Sequence, residues 1–249
     1  YEMLNGEELR SQMKGIGPDV VGASFSPCDG HVNPLRFLRA LRCSVQAMGG
    51  HVTLGATVSA IRLQPNGGFA LALANGETLQ TEQVVLCAGL GAATLARDLG
   101  FITQVRPQLG ELLITEKLGA RLPFLSSTIR QVDEGGVQIG GTKANAGLDD
   151  RETLPIMSKL ARHAVTVFPA LADVRVVRAW GALRVMSPDG YPVYAKSSLH
   201  PGAFLVTCHS GVTLAPLHAS ALADWIMNTS PTPDLEAFDE CRFVLSHAA

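Results

Sequence analysis

The sequence is short of charge, of paired cysteines and of long apolar runs. Asp, Glu, Lys and Arg make up 17% of the 249 residues, and 20 basic against 22 acidic side chains leave a net charge of −2. That balance excludes the broad positive field of a nucleic-acid binder or a polybasic membrane anchor. Mean hydropathy is +0.20, yet the apolar stretches are broken by Gly, Pro or charge. Gln83-Val84-Val85-Leu86-Cys87-Ala88 is typical, far short of the roughly 18 residues a membrane span requires. The five cysteines, Cys28, Cys43, Cys87, Cys208 and Cys241, are odd in number and form no C-x-x-C. Most lie in apolar segments, which predicts buried free thiols in a reducing compartment and a cytoplasmic protein, with a peripheral position at the inner face of the membrane as the alternative. Seven scattered histidines without an H-x-x-x-H pair give no metal centre. Tyr1 to Arg10 lacks the basic region and apolar core of a signal peptide and reads as a chain already under way, with Met3 in a helix-prone stretch.

Periodic order begins at Asn33-Pro34, a cap followed by a first-turn proline. Leu35, Leu38, Leu41 and Val45 then recur at helical spacing up to Gly49-Gly50, predicting an amphipathic helix laid on a core. Four β-prone runs follow, His51 to Leu54, Val58 to Leu63, Phe69 to Ala74 and Gln83 to Ala88, separated by turn residues such as Asn66-Gly67 and Asn75-Gly76. Val105 to Thr115, Ser127 to Val132 and Val137 to Gly141, around Asp133-Glu134-Gly135-Gly136, predict a sheet. A helix is expected over Thr153 to Val167, a strand over Val174 to Val185, a buried strand over Ala203 to Thr207 and a helix over Thr213 to Asn228. Pro231 and Pro233 mark a linker and short tail. The alternation is that of a mixed α/β fold.

Three segments could carry chemistry. Val84 to Thr94 offers an apolar strand, a Gly-x-Gly turn at Gly89 and Gly91, and a helix, with Glu111 near the spacing of a ribose ligand. The third small position is Thr94 and the strand leaves a meander, so a plain strand-to-helix turn, or one that lets backbone approach the flat part of a cofactor, competes with a pyrophosphate loop. In Val176 to Val193, strand alternation puts Arg178, Trp180, Ala182 and Arg184 on one face before the Pro188-Asp189-Gly190 turn. Two guanidinium groups in an apolar strand call for an anion: a ligand carboxylate gripped bidentately, or a protein carboxylate such as Asp173 or Asp189. In Phe204 to Pro216 a buried strand leads through Cys208-His209-Ser210-Gly211 into a helix start suited to an anionic ring. A histidine like His209 is more often a satisfied turn residue than a catalyst, and Ser210 lacks the G-x-S-x-G elbow of a nucleophile.

Trp180-Gly181-Ala182-Leu183-Arg184, then Ser187-Pro188-Asp189-Gly190-Tyr191-Pro192, then His209-Ser210-Gly211-Val212-Thr213-Leu214-Ala215-Pro216 stand in a telling order. They resemble the succession of a Trp-to-Arg strand motif, a T-x-D-G-x-P turn and a glycine loop ending in Ala-Pro in the FAD-dependent D-amino-acid-oxidase and glycine-oxidase superfamily. Asp29 to Leu35, Thr128 to Gln131, Trp180 to Met186 and Cys208 to Leu214 are similar to one branch of it: the flavoprotein β-subunits of hydrogen cyanide synthase, opine oxidase and D-hydroxyproline dehydrogenase. The likeness runs from about residue 19 to residue 245.

The resemblance implies an FAD/NAD(P)-binding Rossmann-like domain with an inserted antiparallel-sheet substrate domain. Residues 1–100 would be a partial FAD-binding domain, 101–195 the substrate domain and 196–249 the C-terminal part of the FAD-binding domain. The family's opening G-x-G-x-x-G turn has no counterpart here, and an incomplete chain is the expectation. FAD is the implied cofactor. Arg184 would hold the substrate carboxylate, Thr128 and Tyr191 would line the substrate pocket, and His209, which varies among relatives, is a candidate catalytic residue. Val58 would meet the adenine, Ala88, Gly89 and Gly91 would lie beneath the flavin, and Gly211, Val212, Thr213 and Leu214 would meet its pyrimidine edge. Thr128 stands where some oxidases place a substrate-binding Tyr, implying a different pocket. The implied reaction is hydride transfer from the C–N bond of a small amino or imino acid to flavin N5, with electrons leaving through partner subunits. An oxygen-using oxidase and a non-catalytic assembly subunit are the alternatives.

Overall fold

A computed structural model describes residues 1–122, 124–229 and 233–245. The elements in chain order are β1 (Glu2–Asn5), α1 (Gly6–Gln12), β2 (Gly22–Phe25), α2 (Pro34–Ala47), β3 (Val58–Leu63), β4 (Phe69–Leu73), β5 (Thr78–Thr81), β6 (Val84–Leu86), α3 (Ala92–Leu95), β7 (Arg106–Lys117), β8 (Ile129–Gln131), β9 (Gly136–Ile139), α4 (Leu154–Val167), β10 (Val176–Met186), β11 (Val193–Lys196), β12 (Ala203–Thr207), α5 (Ala215–Leu217), α6 (Ala223–Met227) and α7 (Arg242–Leu245). A π-helical turn, His218–Leu222, joins α5 to α6. The elements group into two units: residues 1–38 with 108–183, and residues 39–107 with 184–249.

The first unit is built on a four-stranded sheet in the order β10-β7-β9-β8. Along β7, Leu109, Glu111, Leu113 and Thr115 share one buried face. Against Leu113, Ile129, Val137 and Ile139 pack Leu160 and Ala164 of α4 and the fully buried Phe168 just beyond it. Burying a Phe side chain contributes about 1.5–3 kcal/mol. The strand pair β1–β2 adds Leu4, and α1 adds Leu9 to the same core. Asn5 starts α1 with a capping box: its Oδ1 accepts from the Glu7 and Glu8 N–H groups, and Glu8 Oε2 accepts from the Asn5 N–H. The helix-prone stretch does yield α1, but Met3 itself lies in β1, a strand that escapes sequence reading because it is only four residues long and polar but for two.

The second unit holds an antiparallel meander, β3-β4-β5, and a three-stranded sheet, β11-β12-β6. Gly67, Gly68 and Gly76 turn the meander with positive φ. In the other sheet β11 runs antiparallel to β12, while β12 runs parallel to β6 with Leu205 opposite Leu86. Ile61, Phe69, Leu86, Leu99, Val193, Leu205 and Phe243 form one core with Ala92 and Ala96.

Several expectations are corrected. Asn33 caps α2 as read, its Oδ1 accepting from Leu35 and Arg36, but the helix buries none of its residues and Leu35 is 78% exposed. Its apolar stripe is not laid on a core among the described residues. His51 to Leu54 is not a strand; these exposed residues lead into the Gly55 turn, where φ is +72°. All five cysteines are free, but four are exposed and Cys208 is half-buried, because they sit in loops, on α2 or past strand ends. The expected helix over Thr213 to Asn228 is interrupted by the π turn. Of the expected linker, Pro231 lies outside the described residues. Among the described residues, no helix is long and apolar enough to cross a membrane.

Candidate functional site

Parallel neighbours β6 and β12 end at the same edge of their sheet, and ligands of open α/β sheets bind outside the carboxyl ends of the strands. From β6 the chain enters the turn Ala88-Gly89-Leu90-Gly91 and then α3. From β12 it enters the loop Cys208 to Leu214 and then α5. Two glycine-bearing turns therefore leave one edge side by side. Ala88, Gly91, Gly211, Val212 and Thr213 are exposed, and Leu214 is half-buried. Val58, at the start of β3, packs on the core that supports this edge.

Glycine has a different reason at each position. Gly89 adopts φ +55°, and a Cβ there would lie 3.2 Å from Val185 Cγ2. The C-terminal end of β10 thus presses on this turn. A Cβ at Gly91 or Gly211 would meet only Ala88 or Cys208, each at 3.8 Å. Internal packing does not demand glycine at those two positions; their bare outer faces let backbone approach a flat ligand. The residues present fit a flavin ring at this edge. Glu111 cannot serve it as a ribose ligand, because it is 2% exposed inside the first unit and accepts from Thr153 N–H at 2.6 Å, at the start of α4.

Arg184 lies half-buried near the end of β10, one residue before Val185. Strand alternation sets it on the face shared with Arg178, Trp180 and Ala182. The Arg178 guanidinium stacks 5.7 Å from the Trp180 ring centroid. Asp189, one of the two protein carboxylates weighed as a partner for this face, pairs with Arg242 at 2.8 Å. Tyr191 is 64% exposed beyond the following turn. His209 is exposed, with Nδ1 3.1 Å from Ser210 Oγ. Thr128 belongs to the first unit, where its hydroxyl bonds His163 Nε2 at 3.0 Å.

The turn after β10 is held by a residue the sequence did not single out. Asp189 Oδ1 accepts from the Tyr191 N–H at 3.0 Å, and Ser187 Oγ donates to the Tyr191 carbonyl at 2.6 Å. Arg242 spans both Asp189 oxygens and donates to the Phe238, Asp239 and Pro192 carbonyls. The Arg242 guanidinium holds the Asp189 carboxyl below its usual range. Arg242→Ala is expected to cost about 1–3 kcal/mol in thermal unfolding, a range discounted because Asp189 is partly exposed. Lys should recover only part, since an ammonium cannot span these acceptors. A carboxyl with a lowered value stabilises fully above its ordinary 3.8 and loses that contribution as pH falls through the lowered value. The part of the wild-type advantage that comes from the Asp189 carboxylate should therefore be lost only in acid, leaving the part from the Phe238, Asp239 and Pro192 carbonyls.

Tyr194 of β11 and His218 of the π turn form a second unforeseen pair, Oη to Nε2 at 2.8 Å, with rings edge to face. Burial pushes the Tyr194 phenol up to about 12 and the His218 imidazolium down, so the pair is uncharged at neutral pH. Nothing in the sequence joins positions 24 residues apart. Among the described residues, no group of His, Cys, Asp and Glu could hold a metal ion.

Comparison with known proteins gives the family of the chain. Residues 1–225 match the family model described as FAD dependent oxidoreductase. An opine oxidase subunit of Agrobacterium tumefaciens (strain Ach5) is 38% identical over 98% of this chain and 65% of its own length. The hydrogen cyanide synthase subunit HcnC of Pseudomonas aeruginosa is 27% identical over 99% of this chain and 61% of its own length. The chain thus spans about 65% of the length of the curated relatives that it matches first. In fold it is similar to glycine oxidase from Geobacillus kaustophilus, with a TM-score of 0.86 at 24% identity, covering 96% of this chain and 66% of that one. With a mixed α/β fold and a glycine-lined strand edge suited to a flavin, the chain belongs to the FAD dependent oxidoreductase family.

Proposed function

We propose that the protein is the flavoprotein subunit of a multi-subunit dehydrogenase that oxidises the C–N bond of a small amino or imino acid. The observation that carries this reading is the meeting of the β10 end with the Gly89 turn, which brings the strand of Arg184 to the edge that fits the flavin. The planar guanidinium of Arg184 binds the substrate carboxylate bidentately and so fixes the α-carbon. Ala88, Gly89 and Gly91 would hold the ring from beneath, Gly211 to Leu214 its pyrimidine edge, and Val58 the adenine. Backbone N–H groups of the Gly211 loop favour negative charge at that edge. By family resemblance Thr128 and Tyr191 are the further candidates for substrate binding, and His209 borders the Gly211 loop. FAD, when bound, would supply the hydride-accepting chemistry, so the chain needs no nucleophile of its own.

The subunit role rests on relatives that are named as subunits of opine oxidase and hydrogen cyanide synthase. The competing reading, an oxygen-using oxidase, is favoured by the 25% identity to glycine oxidase of Bacillus licheniformis. The test is anaerobic mixing of the intact holoenzyme with a panel of glycine, D-hydroxyproline, sarcosine and opines. One of these should bleach the flavin absorbance, with rapid recovery on adding an artificial electron acceptor and slow recovery on adding oxygen. Rapid stoichiometric peroxide release would transfer the protein to the oxidases, and no bleaching by any amino or imino acid would remove the proposed substrate class.

A further inference from the structure

Within the second unit, behind the turn after β10, lies a small enclosed cavity of about 10 Å³ walled by Ile102, Val193, Leu205 and Phe243. Thr103, Gln104, Ser187, Thr207 and Glu240 are its polar neighbours, and two of these keep a buried oxygen without a partner. Thr207, the last residue of β12, is 6% exposed, and Glu240, just before α7, is 7% exposed. Glu240 Oε1 accepts from the Ile102 N–H at 2.9 Å. Its other oxygen, Oε2, and Thr207 Oγ1 are buried without a hydrogen-bond partner. Two orphaned oxygens bordering one solvent-sized void are costly unless something polar stands between them. The cavity has about the volume of a single water probe, and a buried water needs two or more polar partners to reside.

We propose that this cavity is a binding site for one internal water molecule, which accepts a hydrogen bond from a neutral Glu240 carboxyl and donates one to Thr207 Oγ1. The site assigns Glu240 a role independent of the proposed reaction: it fastens the C-terminal segment to the end of β12, the strand that leads into the Gly211 loop. The charged form of Glu240 is the poor fit. Among the described residues no cationic side chain lines the cavity, and burial pushes the Glu240 carboxyl above the ordinary 4.5, with the neighbouring Asp239 charge adding to the rise and the Ile102 N–H opposing it. On the same segment, the Cys241 thiol is itself raised, and Arg242 is engaged with Asp189. From the other bordering segments, residues 102–105, Ser187, Pro188, Val193, Leu205 and Thr207 present no ionisable group.

The sign of the pH effect follows. A carboxyl raised on folding stabilises below its unfolded value and loses that contribution as pH rises through its folded value. Glu240→Gln keeps the shape and the water but cannot ionise. In the intact protein, wild-type Tm should fall relative to E240Q by about 2–4 °C as pH rises from near 4.5 through the raised value. Thr207→Val removes one partner of the water and should lower Tm by about 2–4 °C at every pH. A high-resolution crystal structure of the intact protein should show one ordered solvent peak within hydrogen-bond reach of both side chains. A dry cavity in that structure overturns the water site whatever E240Q does. Parallel pH profiles for wild type and E240Q overturn the neutral carboxyl, and unchanged stability in T207V overturns the bridge.

Discussion

Replacing Arg184 with Ala is expected to lower kcat/KM for the proposed amino- or imino-acid substrate by roughly a hundred- to a thousand-fold, with FAD still bound. The size follows from removing a bidentate charged pair at a desolvated site, about 3–4 kcal/mol of lost interaction. Most of the loss belongs in KM, because the carboxylate is held in ground and transition states alike. A smaller loss belongs in kcat, because a loosely held α-carbon is less often presented correctly. Arg184→Lys should restore substrate use only in part, since an ammonium is a point charge without the planar fork. Steady-state kinetics with the flavin absorbance as a loading control decide the matter: wild-type kcat/KM in R184A removes the carboxylate role, and loss of the flavin itself assigns Arg184 to cofactor retention instead.

The second large effect concerns folding. Gly181 sits in the middle of β10, and a Cβ there would run into the Asp150 carbonyl oxygen and lie 2.9 Å from Leu109 Cδ1. Backbone cannot rotate out of the way as a side chain can. Gly181→Ala must push the segment around Asp150 off the strand, at a cost of about 3 kcal/mol or more, which corresponds to a Tm drop of roughly 6–12 °C. Gly190 is the control. Its φ is +81° with nothing within 4 Å of the missing Cβ, so Gly190→Ala carries only the left-handed backbone strain, about 1 kcal/mol. If thermal unfolding shows G181A to be no worse than G190A, the close crossing over β10 is wrong.

These two glycines also show what could be read from the sequence. Gly190 was legible, because a Pro-Asp-Gly turn is a local matter of backbone angles. So were the Asn33 cap, the Asn75-Gly76 turn and the order of the three chemistry-bearing segments, all of which depend on residues a few positions apart. Gly181 reads as a small residue in a strand, and its reason, a carbonyl 31 residues earlier, is tertiary. The same holds for Arg242 on Asp189, 53 positions away, and for Glu240 on Ile102, 138 away. The α2 stripe was legible as amphipathic, but periodicity gives only the direction of an apolar face and not what covers it. The cysteines misled for a related reason: apolar neighbours in sequence did not become neighbours in space. Glu111 had the right spacing for a ribose ligand, yet its place on a buried strand face gave it to Thr153 instead.

The parallel pairing of β6 with β12 bears on the order in which the chain can fold as it is synthesised. β6 is made more than a hundred residues before its partner, with the whole of residues 108–183 emerging in between. Domains that emerge first can fold as units, so the first unit can close while β6 still lacks its neighbour. The second unit must wait for β12, and the Asp189 turn must wait longer still, until Arg242 has left the ribosome. The flavin-fitting edge is therefore among the last features of this chain to form, and a nascent chain that has emerged past residue 214 but not yet past 242 would display its two glycine turns while the Asp189 turn still lacks its Arg242 brace.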